Sequence, residues 1–593
     1  MKVVLVFPGI TDVGFRSYGD GIDGSWHSHG LCILSSCIQA AGHQVSLIDL
    51  RKLTGWEEYK QKIAEFCPDA ICITMMSCDF NPGLCCAELA HQILPRVPVI
   101  VGGAHPSIVP DEVVACENFN YIIKGEGEIA LVELFAAINA GGVLPSKIIE
   151  GKHPDLDTLP YSDRELFGPY EVPISIAGFE PPFMTFIAGR GCKYNCSFCQ
   201  PAERKIFGPK VRRRSPEHFV GEIVECCKRY KFKSYLIHDD CLLEDIPWVE
   251  RFCELMAKEN VSIPFACQGR ADLICKYPDV LKKMKSVGLS AVIVGFESGN
   301  DRILKFMRKG VRAEQNIEAG MVLKRLGLKI WANFMFGVPT ETQEEMLDTI
   351  RMIKKIQPDY CSPAIYTPHP GSDMFDYCLQ NNLMLSLSHD SYRRNVTEVK
   401  IKSQDWHTIE WAVSESSDPK PEITPYSKEY FSHWGDLTNL SDKVDWAMIE
   451  QSCPDKFQLH SPQSVNLVKT SEDIWVSTTT DPQFIWEMHP LLETKNWRYV
   501  VIDLEVNYSS RGQFVWWTKD YAKYQATRHF RVKYGRHRYA FDVTTLRTYR
   551  NLIGNDITWN DYPIQRLRFD PVESNDVSII LHSLFLLGGK KAG

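Results

Sequence analysis

Three cysteines crowd the stretch Gly189–Gln200, at Cys192, Cys196 and Cys199, a C-x3-C-x2-C spacing. Three thiolates on so short a loop can hold three irons of a four-iron cluster. A [4Fe–4S] cluster held by protein alone takes four cysteines, so one iron would stay open to another ligand. A structural zinc site closes with four protein ligands, and no further Cys or His lies close enough in sequence to complete one. Three cysteines that only pack are the remaining reading, since free Cys is among the most buried residue types.

The chain around this loop repeats one unit. Apolar runs near Phe183–Ala188, Ser234–His238, Pro264–Gln268, Ala291–Phe296, Trp331–Phe336 and Tyr360–Tyr366 alternate with helical stretches. Ser215-Pro216-Glu217 reads as an N-cap, a first-turn proline and a first-turn acid, and Thr340 or Thr342 ahead of Glu344-Glu345 does similar work. Six strand–helix units make an open partial (β/α) barrel over residues 182–380, whose working residues belong at the carboxyl ends of the strands. Polar side chains sit there: Asp239 and Asp240, Arg270 and Asp272, Glu297. A strand-end glutamate accepts hydrogen bonds from hydroxyl or amino groups, and an arginine forks onto a carboxylate. Asp239 and Asp240 read equally well as helix caps, and Arg212-Arg213-Arg214 as a solvated face.

Ahead of the barrel, residues 1–142 alternate strands with helices. The strands are Val3–Phe7, Gln44–Asp49, Ala70–Met75, Val97–Val101 and Tyr121–Lys124, with helices over Gly30–Ala41, Gly83–Leu94 and Glu128–Ala140. That order predicts a doubly wound parallel sheet, which binds ligands beyond the carboxyl ends of its strands. Two glycine clusters fall at those ends, Gly102-Gly103-Ala104-His105-Pro106 and Gly125-Glu126-Gly127-Glu128. Either they let backbone approach a large ligand or they are tight turns into the next helix.

These motifs resemble the radical S-adenosylmethionine (SAM) superfamily, and with the first domain its cobalamin-binding branch. The resemblance rests on the cysteine triad with Phe198 just before its third member, on the Gly-Gly-x-His-Pro turn and on the later Gly-Glu-Gly-Glu. It implies a [4Fe–4S] cluster on Cys192, Cys196 and Cys199 with SAM at the open iron. It implies SAM contacts at Glu297 and Arg270, with Asp239 and Phe198 beside them, and cobalamin against Gly102, Gly103, His105, Gly125 and Glu126. The D-x-H-x-x-G motif that supplies a lower axial histidine in other cobalamin proteins is absent, so none of His27, His29 and His105 is identified as an axial ligand. The activity implied is methyl transfer to an unactivated carbon of a small-molecule or glycan-linked substrate, with ring closure or rearrangement as the alternative. A flavodoxin- or ferredoxin-type reductant is the implied partner. An RNA methylthiotransferase fits less well: Cys67, Cys72 and Cys78 lack the arrangement of that group's extra cluster ligands. A sensor with an idle barrel is disfavoured by the intact triad.

The remainder frames this reading. Residues 143–181 read as a linker, residues 381–473 as a mixed connector with amphipathic pieces such as Val444–Glu450, and residues 474–593 as an all-β sandwich of the jelly-roll, carbohydrate-binding type. In the last, Trp475, Trp486, Trp516 and Trp517 are sugar-stacking candidates or core. At 593 residues the chain is too long for one domain. A net charge of -8 with both signs interspersed gives no broad nucleic-acid surface. The 20 cysteines include the adjacent pairs Cys85-Cys86 and Cys226-Cys227, which are poorly placed for disulfides and point to a reduced cytoplasm. No apolar run is long enough to span a membrane.

Overall fold

Val3–Val6 is buried along its whole length, as a strand must be when helices cover both faces of a parallel sheet. In the computed structural model this strand, Lys2–Phe7 (β1), pairs on one side with Gln44–Asp49 (β2) and on the other with Ala70–Thr74 (β3), all parallel. Val99–Gly102 (β4), Tyr121–Lys124 (β5) and Ile148–Glu150 (β6) extend the sheet in the order β2-β1-β3-β4-β5-β6. Strand order reverses beside β1, the topology that opens a crevice at the carboxyl edge. β6 lies where the sequence indicated only linker. Three residues that are half-buried at best give no periodicity to read, and parallel pairing with β5 holds them.

The structure describes residues 1–9, 27–168 (less 54 and 143–145), 179–199, 203–417 (less 386, 388, 393–399, 404 and 405), 422–423, and 453–588 apart from short stretches of which 544–558 is the longest. The helical piece expected over Val444–Glu450 lies outside the described residues. Among the described residues no helix is long and apolar enough to cross a membrane. None of the twenty cysteines forms a disulfide. The chain divides into two compact units, one reaching to about residue 424 and one beyond it.

The second sheet of the first unit is again six-stranded and wholly parallel. Phe183–Phe186 (β7), Ser234–Ile237 (β8), Phe265–Gly269 (β9), Leu289–Glu297 (β10), Lys329–Phe336 (β11) and Tyr360–Ile365 (β12) lie side by side in sequence order. This half-barrel is the one expected, and its helices start where the caps indicated. The Ser215 hydroxyl accepts from the His218 N–H, and Thr342, not Thr340, forms a reciprocal capping box with Glu345.

The second unit holds two antiparallel sheets. Strands begin at Asp455–Leu459, earlier than the expected Ile474. Those first strands are short and largely exposed, so they lack the alternation that marks the later ones. Trp486, Trp516 and Trp559 sit in the apolar core, and Trp475 packs against it. Trp517 stays partly exposed under the Arg566 guanidinium, 5.4 Å from its ring centre.

Candidate cofactor site

A cavity of about 760 Å³ opens within the first unit, where the carboxyl ends of both parallel sheets contribute wall. From the first sheet come Thr74 at the end of β3, Gly102 and Gly103 after β4, and Gly125 and Glu126 after β5. From the half-barrel come Gly189–Gly191 leading into the cysteine loop, Asp240 after β8, Gln268 on β9, and Trp331 and Asn333 on β11. His29 Nε2 and Trp331 Nε1 belong to this lining; both are buried and make no hydrogen bond within the protein. Two buried polar atoms without partners leave demand for a polar ligand group.

The cysteine loop is tied down at several points. Gly189–Arg190 pairs with Arg212–Arg213 as a short antiparallel ribbon. The Ser197 N–H donates to the Met307 carbonyl at 2.9 Å and its hydroxyl to the Phe306 carbonyl at 3.1 Å. Met374 N–H returns a bond to the Ser197 carbonyl at 2.8 Å. Cys192, Cys196 and Cys199 are each half-buried. Burial, and then the Asp240 carboxylate, pushes the Cys199 thiol up to about 12, and burial raises Cys192 as well. Thiolates there need a cationic centre to hold them, which is the demand an iron–sulfur cluster meets.

A second set of polar residues surrounds the same loop. Glu297 ends β10 in the left-handed region, φ +62°, where the pairing with β11 shifts register. A non-glycine residue held there is strained, and such strain gathers at functional sites. Its Oε1 accepts from Lys309 Nζ at 2.9 Å. Burial alone would push the Lys309 ammonium down, but the Glu297 carboxylate and the Cys196 sulfur together offset it and the pKa rises. Arg270 donates to the Lys309 carbonyl at 2.6 Å and to Asp272 at 3.1 Å, and its guanidinium lies 3.5 Å from the Tyr194 ring centre. Phe198 packs against Met307 in one apolar cluster, with Lys309 Nζ 5.8 Å from its ring centre. Glu297, Arg270 and Phe198, read separately from sequence, are thus one connected group around the cysteine loop.

Other expected residues fall elsewhere. Asp239 accepts from the Ala188 N–H at 2.7 Å and from Arg213 Nε at 3.3 Å, so its carboxylate holds the lead-in to the cysteine loop, while its neighbour Asp240 lines the cavity. Glu126 lines the cavity yet is spent on cations: its oxygens accept from Arg190 at 2.7 Å, from His153 at 2.9 Å and from Arg212. Glu128 takes the other arm of Arg190 at 2.5 Å. The second glycine turn is therefore bound to the residue two before Cys192. Gly103 has φ +110°, and an added Cβ would meet the Met75 backbone at 2.9 Å, so packing against the end of β3 requires this glycine whatever fills the cavity. Gly125, φ +90°, has nothing nearer than 4.0 Å around such a Cβ, which leaves bare backbone at the cavity wall. His105 does not line the cavity; its ring lies against Phe80 and Ser77.

Sequence reasoning missed Glu203 and Lys309 as site residues, and it weighed His29 only as an axial ligand. Glu203 lines the cavity and faces Asp240; burial and that neighbouring charge push it up to about 8, while burial and Asp239 push Asp240 up to about 6. No spacing links 203 to 240; the acid in Pro201–Arg204, just past the third cysteine, was the one cue.

Known proteins sort this geometry. Residues 186–353 match the radical SAM superfamily model, and residues 17–135 match the B12-binding domain model. The chain carries a radical SAM domain and a B12-binding domain. An uncharacterized methyltransferase of Pyrococcus horikoshii is 28% identical to it over 426 residues, 68% of this chain and 88% of that protein. The anaerobic magnesium-protoporphyrin IX monomethyl ester cyclase of Rubrivivax gelatinosus is 24% identical, over 63% of this chain and 69% of its own. Among solved structures, the cobalamin-dependent radical SAM enzyme OxsB superposes with a TM-score of 0.54 at 17% identity, covering 70% of this chain and 66% of OxsB. The radical SAM methyltransferase TsrM of Kitasatospora setae gives 0.52 at 14%, covering 72% and 91%. These likenesses concern the fold. The cofactors that go with the two domains are a [4Fe–4S] cluster, SAM and cobalamin, and the cysteine loop and the glycine-walled cavity of this chain fit them.

Proposed function

We propose that this radical SAM protein methylates an unactivated carbon of a small molecule held in the cavity between its two parallel sheets. The observation that carries the reading is that cavity: the cysteine lead-in, the bare turns of the B12-binding domain and the half-barrel mouth all face one space. Bound there, the three cofactors supply a carbon-centred radical and a transferable methyl group.

The chain's own part is placement and shielding. Cys192, Cys196 and Cys199 would hold the cluster. Glu297, oriented by Lys309, and Arg270, braced by Asp272 and Tyr194, would seat SAM against the loop. The glycine turns at Gly102 and Gly125 would admit the corrin. Trp331 Nε1 and His29 Nε2 would bind a polar group of the substrate, and the apolar wall from Ile293 and Leu236 would keep water from a reactive carbon. Glu203 and Asp240, holding a proton between them near neutral pH, would accept or return a substrate proton.

The runner-up keeps the cofactors and closes a ring, and the cyclase likeness favours it. Reconstituted protein supplied with reductant, methyl-labelled SAM and a metabolite extract separates the two. Methylation predicts a product carrying the label together with 5'-deoxyadenosine. A product that forms with 5'-deoxyadenosine but without label would replace the methylase reading by the cyclase one.

A further inference from the structure

Away from the cavity, the described residues bring one trio of ligand-type side chains within reach of a single ion. The donor atoms of His105, Glu112 and His389 all lie within 4.8 Å of one another. His105 follows the first glycine turn, Glu112 belongs to the short helix Pro110–Val114, and His389 opens the 3-10 turn His389–Tyr392 beyond the half-barrel. Glu112 offers one oxygen to each ring: Oε2 lies 3.2 Å from His105 Nε2 and Oε1 lies 3.1 Å from His389 Nε2. Two ligands bonded to one tetrahedral zinc at about 2.1 Å stand roughly 3.4 Å apart, close to both separations.

Further facts favour an ion over a carboxylate merely shared by two imidazoles. His105 is wholly buried, and its Nε2 meets no hydrogen-bond geometry although a Glu112 oxygen lies 3.2 Å away. Its other nitrogen, Nδ1, pairs with Ser77 Oγ at 3.1 Å. One ring nitrogen held by a neighbour while the other faces acid and imidazole is how metal-bound histidines are supported. Phe80 fixes both rings, stacking on His389 at 4.1 Å and meeting His105 edge-on at 5.3 Å. Glu112 is partly exposed, so the site has an entry path.

We propose that His105, Glu112 and His389 bind one zinc ion in an open site, three protein ligands with water at the fourth position, and that binding there also ties the segment after the half-barrel to the B12-binding domain. None of the three residues lines the central cavity, so the zinc site is separate from the radical site.

The test uses full-length, cluster-reconstituted protein, so that the iron-site cysteines are occupied and do not take zinc. After incubation with zinc chloride and desalting, metal analysis should find about one zinc per chain on top of unchanged iron. His389→Ala and Glu112→Gln should each retain iron but lose the zinc. Ser77→Ala should weaken zinc retention by about 10–100-fold, as loss of a supporting contact does. Zinc should also raise the melting temperature of the parent protein and leave that of His389→Ala unmoved. Glu112→Gln keeps the shape of the side chain, so a folding defect in the histidine variant does not decide the matter. Parent protein that takes up no zinc beyond its iron, or Glu112→Gln protein that holds as much zinc as the parent, overturns the proposal.

Discussion

The two parallel sheets of the first unit have the same strand number and direction, yet their carboxyl ends are furnished in opposite ways. The first ends in glycine: Gly102, Gly103 and Gly125 present backbone, and the acids beside them, Glu126 and Glu128, are taken up by Arg190. The half-barrel ends in side chains: Asp240, Arg270 and Glu297, the last held at φ +62°. Bare backbone suits a large flat ligand that binds by area. Charged side chains suit a small polar one that must be oriented atom by atom. On the proposed function, one scaffold logic would thus yield two kinds of receptor.

The largest effect should come from replacing Cys192, Cys196 and Cys199 together with Ala. Iron and SAM cleavage should vanish while cobalamin uptake persists; loss of cobalamin as well would show that the two receptors are not separable. Next, Glu297→Gln strips the buried Lys309 of its carboxylate. Removing one partner of a buried charge pair costs about 2–5 kcal/mol, so SAM affinity should fall by tenfold or more at constant cobalamin content. Equal weakening of both cofactors would break the contrast drawn above. On the other receptor, Gly125→Val forces a branched side chain into left-handed backbone, a strain of about 1–2 kcal/mol, and fills open space at the wall. Cobalamin uptake should drop roughly tenfold with SAM cleavage intact, and unchanged uptake would remove Gly125 from the cobalamin receptor.

A subtler prediction concerns pH. Burial and the Asp240 charge raise Glu203 to about 8 in the fold. A raised carboxyl favours its neutral form, so its share of stability is present in acid and is lost as pH climbs from the ordinary carboxylate range through about 8. In protein without its cluster, Glu203→Gln should therefore melt higher than the parent at pH 9 and the same at pH 4. A gap that stays constant with pH would refute the assignment. The smallest effect should follow removal of the second unit. Cutting near Asp473 would strand Asp455–Leu459, which pairs with Ser578–Gly588, so the chain should end near residue 424. That chain should still take up iron and cobalamin and cleave SAM slowly; loss of soluble protein would make the sandwich a brace.

Much of this was legible in sequence because it is local. Cys192, Cys196 and Cys199 lie within one loop, and buried parallel strands announce themselves as apolar runs. Thr342 and Ser215 marked helix starts through chemistry confined to one turn. What stayed hidden was pairing at a distance. Nothing in Gly-Glu-Gly-Glu says that its carboxylates will meet Arg190, more than sixty residues on. Nor does Lys309 advertise Glu297. β6 escaped because three residues carry no period, and the first strands of the sandwich escaped because their exposed side chains do not alternate.

The sandwich's strand order bears on how the protein is made. Ser578–Gly588 is an interior strand, hydrogen-bonded to Trp475–Ser477 on one side and to Trp497–Val506 on the other. During synthesis those earlier strands leave the ribosome with bare edges that only the late arrival covers, and bare edges invite pairing with other chains. At the usual pace of translation the wait after residue 424 is roughly ten to thirty seconds. The cofactor-binding unit has emerged by then. For that interval a nascent chain combines a radical site ready for loading with a half-built, aggregation-prone tail, which makes late elongation the point at which slowed translation or low temperature should most change the yield of soluble protein.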